Sequence, residues 1–359
     1  MDYRGRRLRV VNAIEERRLD VLLISHLPNI RYLSGFSGSS GVLLITSREA
    51  VLITDGRYSE QAKREVEAAR VKIVKKSPLT AAAEWLLKRR ALRRIGFDPA
   101  HMIVADRRAL AKVLGRSRSI VEAPPIVDEL RMIKDAEEIQ KIRAACLLGV
   151  ELFSTLTSNL RPGISEARLA GLLELTAREE GAEQMSFPTI VASGERSALA
   201  HHRARNVPVP DRGFVVLDYG VILRGYCSDM TRTAHVARPT REARGAYEAV
   251  REAQQAALDV VKPGVTAGEV DHAARKLLYN RKLGRFFTHS TGHGVGLEIH
   301  EAPRLAAAQE EVLLPGMVIT IEPGVYLPGK WGVRIEDTVV LTDTGCDILT
   351  PCPKDLLTF

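Results

Sequence analysis

Short apolar runs alternate with helix-like patterns over the first third of the chain. The runs are bounded by glycine, proline, serine or aspartate, which is typical of buried strands. Between them, apolar residues recur with the spacing of one helix face. The pattern predicts strands at residues 21–24, 42–46, 51–54 and 94–97, and helices at residues 59–70 and 80–90. Alternation of this kind indicates an α/β domain.

The alternation stops at Ala123-Pro124-Pro125, and a long helical pattern then runs from Lys134 to about residue 160. Consecutive prolines interrupt both helices and sheets, so this segment marks a break between structural units. A chain of 359 residues also exceeds the size of one ordinary domain. We therefore predict an α/β domain over residues 1–130 and a second, α+β domain over residues 131–359.

The second domain contains a weak internal repeat. The segments LRPGIS at 160–165 and VKPGVT at 261–266 each follow a long helical pattern, and each opens another helix. Ser165 and Thr266 occupy the N-cap position, where a side-chain oxygen accepts a hydrogen bond from the first turn. Strand-like segments follow both copies. The repeat predicts two similar helix-and-sheet halves related by a pseudo-twofold axis.

Each half also contains an apolar hairpin whose first strand carries a single acid and whose return strand carries an acid opposite it. These acids are Asp218 and Asp229 in the first hairpin, and Glu322 and Glu336 in the second. We place the first turn immediately before Arg224 and the second turn on a Pro-Gly-Lys sequence. Both registers then set the two acids of a hairpin directly opposite each other.

Opposed acids in apolar strands require an explanation. Like charges directly opposite destabilise a sheet, and removing an ion from water costs several kcal/mol more. Bound divalent cations would neutralise both pairs and turn repulsion into ligation. The alternative is that the registers are wrong and that some acids face solvent. The occurrence of the pattern in both hairpins favours a metal site.

Three of the nine histidines, His289, His293 and His300, fall within one glycine-rich segment. Its alternate glycines disfavour a helix and let the backbone approach a bound group closely. A phosphate-binding loop fits less well, because no Walker lysine follows. An imidazole beside two carboxylate pairs forms an oxygen-rich site that suits manganese, cobalt or zinc. Two ions sharing carboxylates would lie about 3.5–4 Å apart and would activate water.

The overall charge changes this interpretation little. The formal net charge is +8, but the basic residues are scattered among acidic neighbours, which argues against nucleic acid as a partner. No apolar run approaches the roughly 20 residues of a membrane span, and the basic N-terminus lacks the apolar segment of a secretion signal. Four widely spaced cysteines fit free thiols in a reducing cytoplasm.

The acids and histidines lie in motifs that resemble the pita-bread metallopeptidases, among them aminopeptidase P and prolidase. The motifs are D-Y-G at Asp218, S-D-M-T-R-T at Asp229, G-H-G-V-G-L-E-I-H-E at His293, I-E-P-G at Glu322 and R-I-E-D at Glu336. Residues 29–38 and 54–58 resemble the N-terminal domain of the same proteins. The resemblance implies a creatinase-like α/β domain followed by a pseudo-twofold pita-bread catalytic domain.

The resemblance also implies two divalent metal ions per subunit, with manganese expected and cobalt or zinc as alternatives. Asp218 would bind one ion, and His293 and Glu322 would bind the other. Asp229 and Glu336 would bridge both ions.

Further roles follow from the same resemblance. Glu322 would be the general base, which passes a proton to the leaving proline nitrogen. His201, His289 and His300 would position the substrate and stabilise the tetrahedral intermediate. Arg334 would support the site electrostatically, although an ordinary arginine on the sheet surface is the alternative.

The chain departs from the family pattern beside one of these histidines. Ala200 replaces the usual proline, and His202 stands where a small residue is common. Because His202 adjoins His201, it is an alternative to that residue, but the distance along the chain to Asp218 favours His201. These departures affect the expected substrate specificity rather than the chemistry.

The expected activity is that of an aminopeptidase P-like exopeptidase, which releases the N-terminal residue from peptides with proline at the second position. The sequence HEAP after residue 299 and the sequence LTPCPKDLL at 349–357 favour this activity. The alternative is prolidase-like cleavage of Xaa-Pro dipeptides. A non-catalytic peptide-binding module is a remote alternative, because all five ligands are present. The resemblance also implies a homodimer.

Overall fold

The structure is a computed structural model that describes all residues from 1 to 359. The chain divides into two compact units, Met1–Arg131 and Met132–Phe359. The domain boundary predicted after residue 130 lies beside this division. None of the helices combines the length and the apolar character that crossing a bilayer requires.

The first unit is built on one mixed sheet. Its helices are α1 (Tyr3–Glu16), α2 (Leu27–Ser34), α3 (Ser59–Glu65), α4 (Pro78–Leu87), α5 (Val104–Leu114) and α6 (Ile126–Met132). Its strands are β1 (Val21–Ile24), β2 (Val42–Ile45), β3 (Ala50–Asp55), β4 (Arg70–Val74), β5 (Arg94–Phe97) and β6 (Ser119–Glu122). The strand order is β4-β3-β2-β1-β5-β6, and only β2 runs antiparallel to its neighbours. Apolar residues of α4 and α5 pack on this sheet, which confirms the predicted α/β class.

One predicted helix of the first unit ends earlier than the pattern suggests. The helix expected over residues 59–70 stops at Glu65, and the following segment forms the edge strand β4. Ala68 lies between them with a φ of 56°, a left-handed conformation that interrupts a right-handed helix.

The second unit contains four long helices and thirteen strands. The helices are α7 (Ala136–Asn159), α8 (Glu166–Glu179), α9 (Arg241–Val260) and α10 (Ala267–Asn280). The strands of the first half are β7 (Gln184–Met185), β8 (Ile190–Ser193), β9 (Gly213–Tyr219), β10 (Val221–Leu223), β11 (Tyr226–Cys227) and β12 (Met230–Val236). Those of the second half are β13 (Gly292–Gly294), β14 (Glu301–Leu305), β15 (Val318–Ile321), β16 (Gly324–Leu327), β17 (Trp331–Arg334), β18 (Asp337–Leu341) and β19 (Cys346–Ile348).

The internal repeat appears as two similar halves with separate cores. Helices α7 and α8 pack on the sheet β12-β9-β8, whereas α9 and α10 pack on the sheet β14-β13-β15-β18-β19. Both predicted N-caps are confirmed. Ser165 Oγ accepts from the backbone N of Arg168 at 3.2 Å, and Thr266 Oγ1 accepts from that of Glu269 at 3.2 Å. Each half is therefore a helix pair on its own sheet.

The first hairpin has a register different from the predicted one. Asp218 pairs with Thr231 rather than with Asp229, a shift of two residues. The turn lies at Arg224 and Gly225, whose φ angles are 52° and 80°. Two successive residues with positive φ form the two-residue hairpin turn whose twist matches that of the strands. A turn at this position fixes the observed register, in which Asp218 pairs with Thr231. A shift of two leaves both aspartates on the same face.

The register predicted for the second hairpin is confirmed. Gly324 pairs with Arg334 on one side of the two glutamates, and Ile321 pairs with Asp337 on the other. Continuing either ladder sets Glu322 opposite Glu336.

Candidate metal centre

Five side chains from both halves of the second unit converge on one cavity of about 660 Å³. Asp218 lies in β9, and Asp229 lies just before β12. His293 is the central residue of β13, and Glu322 and Glu336 flank the hairpin β16–β17. These are the five residues that the sequence predicts as metal ligands.

The cluster fits a cation because buried oxygen atoms in it lack other partners. Asp218 Oδ1, Asp229 Oδ1 and Glu336 Oε1 are buried and accept no hydrogen bond. An unpartnered buried polar atom is rare and costly. Ligand atoms of Asp229, His293 and Glu336 lie within 4.8 Å of one another. A divalent cation among them would supply the missing partner.

The acids of the cluster cannot all be ionised unless a cation balances their charge. Burial raises the pKa of Asp229 and of Glu336 well above the usual range, and neighbouring carboxylates raise both further. Burial also raises the pKa of Glu322 to about 8, against the opposing charge of Arg334. A bound cation would return these acids to their ionised form.

His293 presents one nitrogen to the acids as a neutral ligand. Its Nδ1 lies 2.9 Å from the carbonyl oxygen of Gly294. Because a carbonyl oxygen only accepts, Nδ1 carries the proton and Nε2 keeps its lone pair. That Nε2 lies 3.6 Å from Asp229 Oδ2 and 3.4 Å from Glu322 Oε1. Burial lowers the pKa of His293 to about 4, which keeps the ring neutral.

Arg334 joins the acid cluster to a tyrosine and a histidine. It is 3% exposed and donates to Asp218 Oδ2 and, at 2.5 Å, to Tyr326 Oη. Tyr326 Oη lies 2.9 Å from His289 Nε2, and His289 Nδ1 lies 2.8 Å from the carbonyl oxygen of Ser290. The carbonyl only accepts, so His289 carries its proton on Nδ1 and Tyr326 donates to Nε2.

These contacts define two of the predicted site residues more closely. Arg334 is buried in the site and is not a residue of the sheet surface. His289 lines the cavity, but the protein already engages both of its ring nitrogens. Burial, with the charge of Arg334, lowers the pKa of His289 to about 3, so the ring is neutral. Tyr326 is not among the predicted site residues, and the only signal for it in the sequence is its place four residues after Glu322.

The remaining histidines differ in exposure. His201 and His202 both line the cavity, but His202 is buried, with Nε2 2.8 Å from Glu166 Oε2. His201 is exposed at the cavity, and the choice of His201 over His202 stays a prediction. His300 is also exposed, with its ring centroid 4.3 Å from that of His293. Burial and the charge of His201 lower the pKa of His300.

Two arginines and an apolar wall complete the cavity. Arg304 pairs with His293 across β13 and β14, and Arg203 follows the two adjacent histidines. Both arginine side chains are exposed and are outside the acid cluster. The apolar wall consists of Phe187, Pro188, Ile190 and Ile299. Of these residues only Ile299 lies in one of the motifs quoted above, and none was predicted as a site residue.

Two family models together match most of the chain. The model for metallopeptidase family M24 matches residues 140–343, and that for the creatinase/prolidase N-terminal domain matches residues 6–133. The chain is 36% identical over 350 residues to the Xaa-Pro dipeptidase of Pyrococcus furiosus, covering 97% of this chain and 98% of that protein.

Solved structures agree over the full length. The Xaa-Pro dipeptidase from Bacillus anthracis superposes with a TM-score of 0.95 at 36% identity, covering 99% of this chain and 100% of that one. The X-Pro aminopeptidase from Thermotoga maritima superposes with a TM-score of 0.88 at 36% identity, with the same coverage of 99% and 100%.

Proposed function

The chain belongs to metallopeptidase family M24 and is a metalloexopeptidase, and from this premise we propose that it hydrolyses Xaa-Pro dipeptides. Relatives named Xaa-Pro dipeptidase support this activity over the aminopeptidase P-like activity expected from the sequence. The aminopeptidase from Thermotoga maritima, however, has the same 36% identity as the dipeptidase from Bacillus anthracis. The choice therefore rests on how the cavity receives the C-terminal side of the substrate.

The observation that carries the proposal is the position of Arg304. This residue lies opposite His293 in the register of β13 and β14, and its side chain is exposed at the cavity. A dipeptide ends in a carboxylate directly after the proline, whereas a longer peptide has a neutral amide there. A guanidinium group binds a carboxylate through two parallel, charge-assisted hydrogen bonds. Arg304 would therefore favour a substrate that ends at the proline.

The five ligands support a pair of divalent cations. Asp218, Asp229, His293, Glu322 and Glu336 would hold them, with the unpartnered carboxylate oxygens as donors. Such ions, when bound, polarise a scissile carbonyl and activate water. Manganese is our preferred metal, because four of the five ligands are carboxylates and hard oxygen donors suit it.

Proton transfer is the main task of the protein side chains. The nitrogen of an Xaa-Pro bond carries no proton, so proline leaves as an amine only after a proton is delivered to it. Glu322 would accept a proton from water as the water oxygen bonds to the scissile carbon. It would return the proton to the proline nitrogen as the C–N bond breaks. His201 and His300, both exposed at the cavity, would donate hydrogen bonds to the peptide.

The test compares Ala-Pro, Ala-Pro amide and Ala-Pro-Ala as substrates. Protein stripped with a chelator is reloaded with manganese, cobalt or zinc before each assay. We expect Ala-Pro to have the highest kcat/KM. Arg304→Gln should raise KM for Ala-Pro about 10- to 100-fold, the equivalent of a charge-assisted hydrogen bond of about 1.5–3 kcal/mol. It should change cleavage of the amide little, because the amide has no carboxylate.

Arg203→Gln is the matched control. It removes the same charge from the same cavity, but from a residue that is not opposite His293. Its effect on KM for Ala-Pro should be small. Preferred cleavage of Ala-Pro-Ala by the unmodified protein would instead support aminopeptidase activity. A folded, metal-loaded protein that cleaves none of the three peptides would contradict Xaa-Pro specificity.

A further inference from the structure

A buried glutamate, Glu166, contacts the segment that carries His201. Glu166 is the first residue of α8 and is fully buried. Its Oε1 accepts from Ser193 N at 2.9 Å, Ser193 Oγ at 2.7 Å and Arg196 Nε at 2.9 Å. Its Oε2 lies 2.8 Å from His202 Nε2. Burial alone would raise the pKa of Glu166, but these hydrogen bonds outweigh it and hold the pKa below its usual value.

The same segment is attached to the acid cluster on its other side. Arg334, which donates to Asp218, also donates from Nη1 to the carbonyl oxygen of Ala200 at 3.1 Å. His201 therefore lies between two attachments, one at Ala200 and one at His202. Because the backbone is held on both sides of His201, the direction of its side chain depends on both attachments.

The second copy of the internal repeat has no glutamate at the equivalent position. Helix α10 begins with the N-cap Thr266 and a fully buried Ala267, where α8 begins with Ser165 and Glu166. Both helices start normally, so the fold does not require a carboxylate at this position. A buried charge is costly unless it is well paired. The presence of Glu166 in only one half indicates a function specific to the half that carries His201.

We propose that Glu166 is a positioning residue for His201 and acts through His202. The contact between His202 Nε2 and Glu166 Oε2 keeps the His202 side chain buried, whereas the neighbouring His201 is exposed at the cavity. The inference rests on the proposed function, in which His201 contacts the peptide.

A double-mutant cycle distinguishes positioning from general stabilisation. Glu166→Gln keeps the size of the side chain but replaces one acceptor oxygen with an N–H donor. We expect kcat for Ala-Pro to fall about 10-fold at unchanged metal content, since a small displacement of a catalytic group is costly. In a His201→Ala background the same substitution should change kcat less than about twofold, because the positioned group is gone. Equal losses in both backgrounds would overturn the proposal.

Hydrogen exchange provides a readout that does not depend on catalysis. In metal-free protein, Glu166→Gln should accelerate amide exchange in residues 194–205 by about 10-fold, because loss of the attachment favours local opening. Glu269→Gln is the matched control, since Glu269 also accepts hydrogen bonds in the first turn of its helix, from Thr266 N and Oγ1. It should change neither kcat nor exchange in residues 194–205.

A second variant tests the same proposal if the Glu166→Gln protein does not fold. His202→Ala removes the proposed contact and leaves Glu166 bonded to Ser193 and Arg196. It should also accelerate exchange in residues 194–205. Unchanged exchange in a folded variant would overturn the positioning role, whether or not the enzyme cleaves Xaa-Pro peptides. Faster exchange in a protein that cleaves no such peptide would count against the proposed function alone.

Discussion

Replacing Glu322 with glutamine is expected to stabilise the metal-free protein at alkaline pH. Burial raises the pKa of Glu322 to about 8 in the folded protein, from a usual value of 4.5. At neutral pH the folded state therefore holds a proton that the unfolded state has lost. This contribution to stability is complete below about pH 4.5 and is lost as the pH rises through about 8.

The magnitude follows from these two pKa values. Between about pH 7 and pH 9, ionisation of Glu322 should lower the free energy of unfolding by about 1.4 kcal/mol. The lowered pKa values of His289 and His293 leave both rings neutral in the folded protein over this range. Glutamine has no proton to lose, so the variant should gain about 1.4 kcal/mol on the wild type over this interval. The gain is a lower limit, since Glu322 also raises the pKa of Glu336.

Urea unfolding with a chelator, at several pH values across this range, would measure the difference. Trp331 fluorescence reports on the second unit in a Trp85→Phe background, because the chain has only two tryptophans. Glu269→Gln replaces an exposed glutamate whose pKa is lowered by hydrogen bonds from Thr266, and it should show no such gain. In saturating manganese the wild type should instead be more stable than Glu322→Gln, because glutamine is a poorer metal ligand than glutamate. A wild-type pH dependence in Glu322→Gln would refute the reasoning.

Three further outcomes are expected. Tyr326→Phe should lower the free energy of unfolding by about 1–3 kcal/mol in urea, because buried His289 Nε2 loses its donor; an unchanged value would contradict that hydrogen bond. Ser165→Ala and Thr266→Ala should each cost about 1 kcal/mol in thermal unfolding, as both hydroxyls cap repeat-related helices. Unequal losses of stability in the two variants would argue against equivalent N-caps at Ser165 and Thr266. Light scattering should give twice the chain mass of 39.6 kDa, as expected for a homodimer, and a monomer would contradict it.

Features encoded by neighbouring residues could be predicted from the sequence. Helix α7 and the caps at Ser165 and Thr266 follow from apolar spacing and from one hydroxyl at the right position. The acid cluster was predictable because a single carboxylate in an apolar strand is conspicuous. The second register was predictable because Gly329, with a φ of 68°, marks the turn.

Features that depend on distant residues could not be predicted in the same way. The partners Glu166 and His202 are 36 positions apart, and neither has a local pattern that implies the other. Arg304 gains its importance only from the pairing of β13 with β14, which a bulge makes irregular. In the first hairpin, a turn placed one residue early moved every pairing by two.

That two-residue shift changes the shape of the acid cluster. The two aspartates share a face but are diagonal neighbours, about 7–8 Å apart along the sheet. The glutamates, in contrast, lie between two ladders of the same register, one ending at Ile321 and Asp337 and the other beginning at Gly324 and Arg334. The first hairpin therefore sets its two acids two positions out of register, whereas the register of the second keeps its two acids opposite each other.

The two aspartates also differ in their surroundings. Ligand atoms of Asp229 lie within 4.8 Å of those of His293 and Glu336. Asp218 instead accepts a hydrogen bond from Arg334 and retains an unpartnered Oδ1. The unpartnered buried oxygens of Asp218, Asp229 and Glu336 are therefore distributed over both hairpins. A cation bound by either hairpin alone would leave at least one of these oxygens without a partner, which is costly.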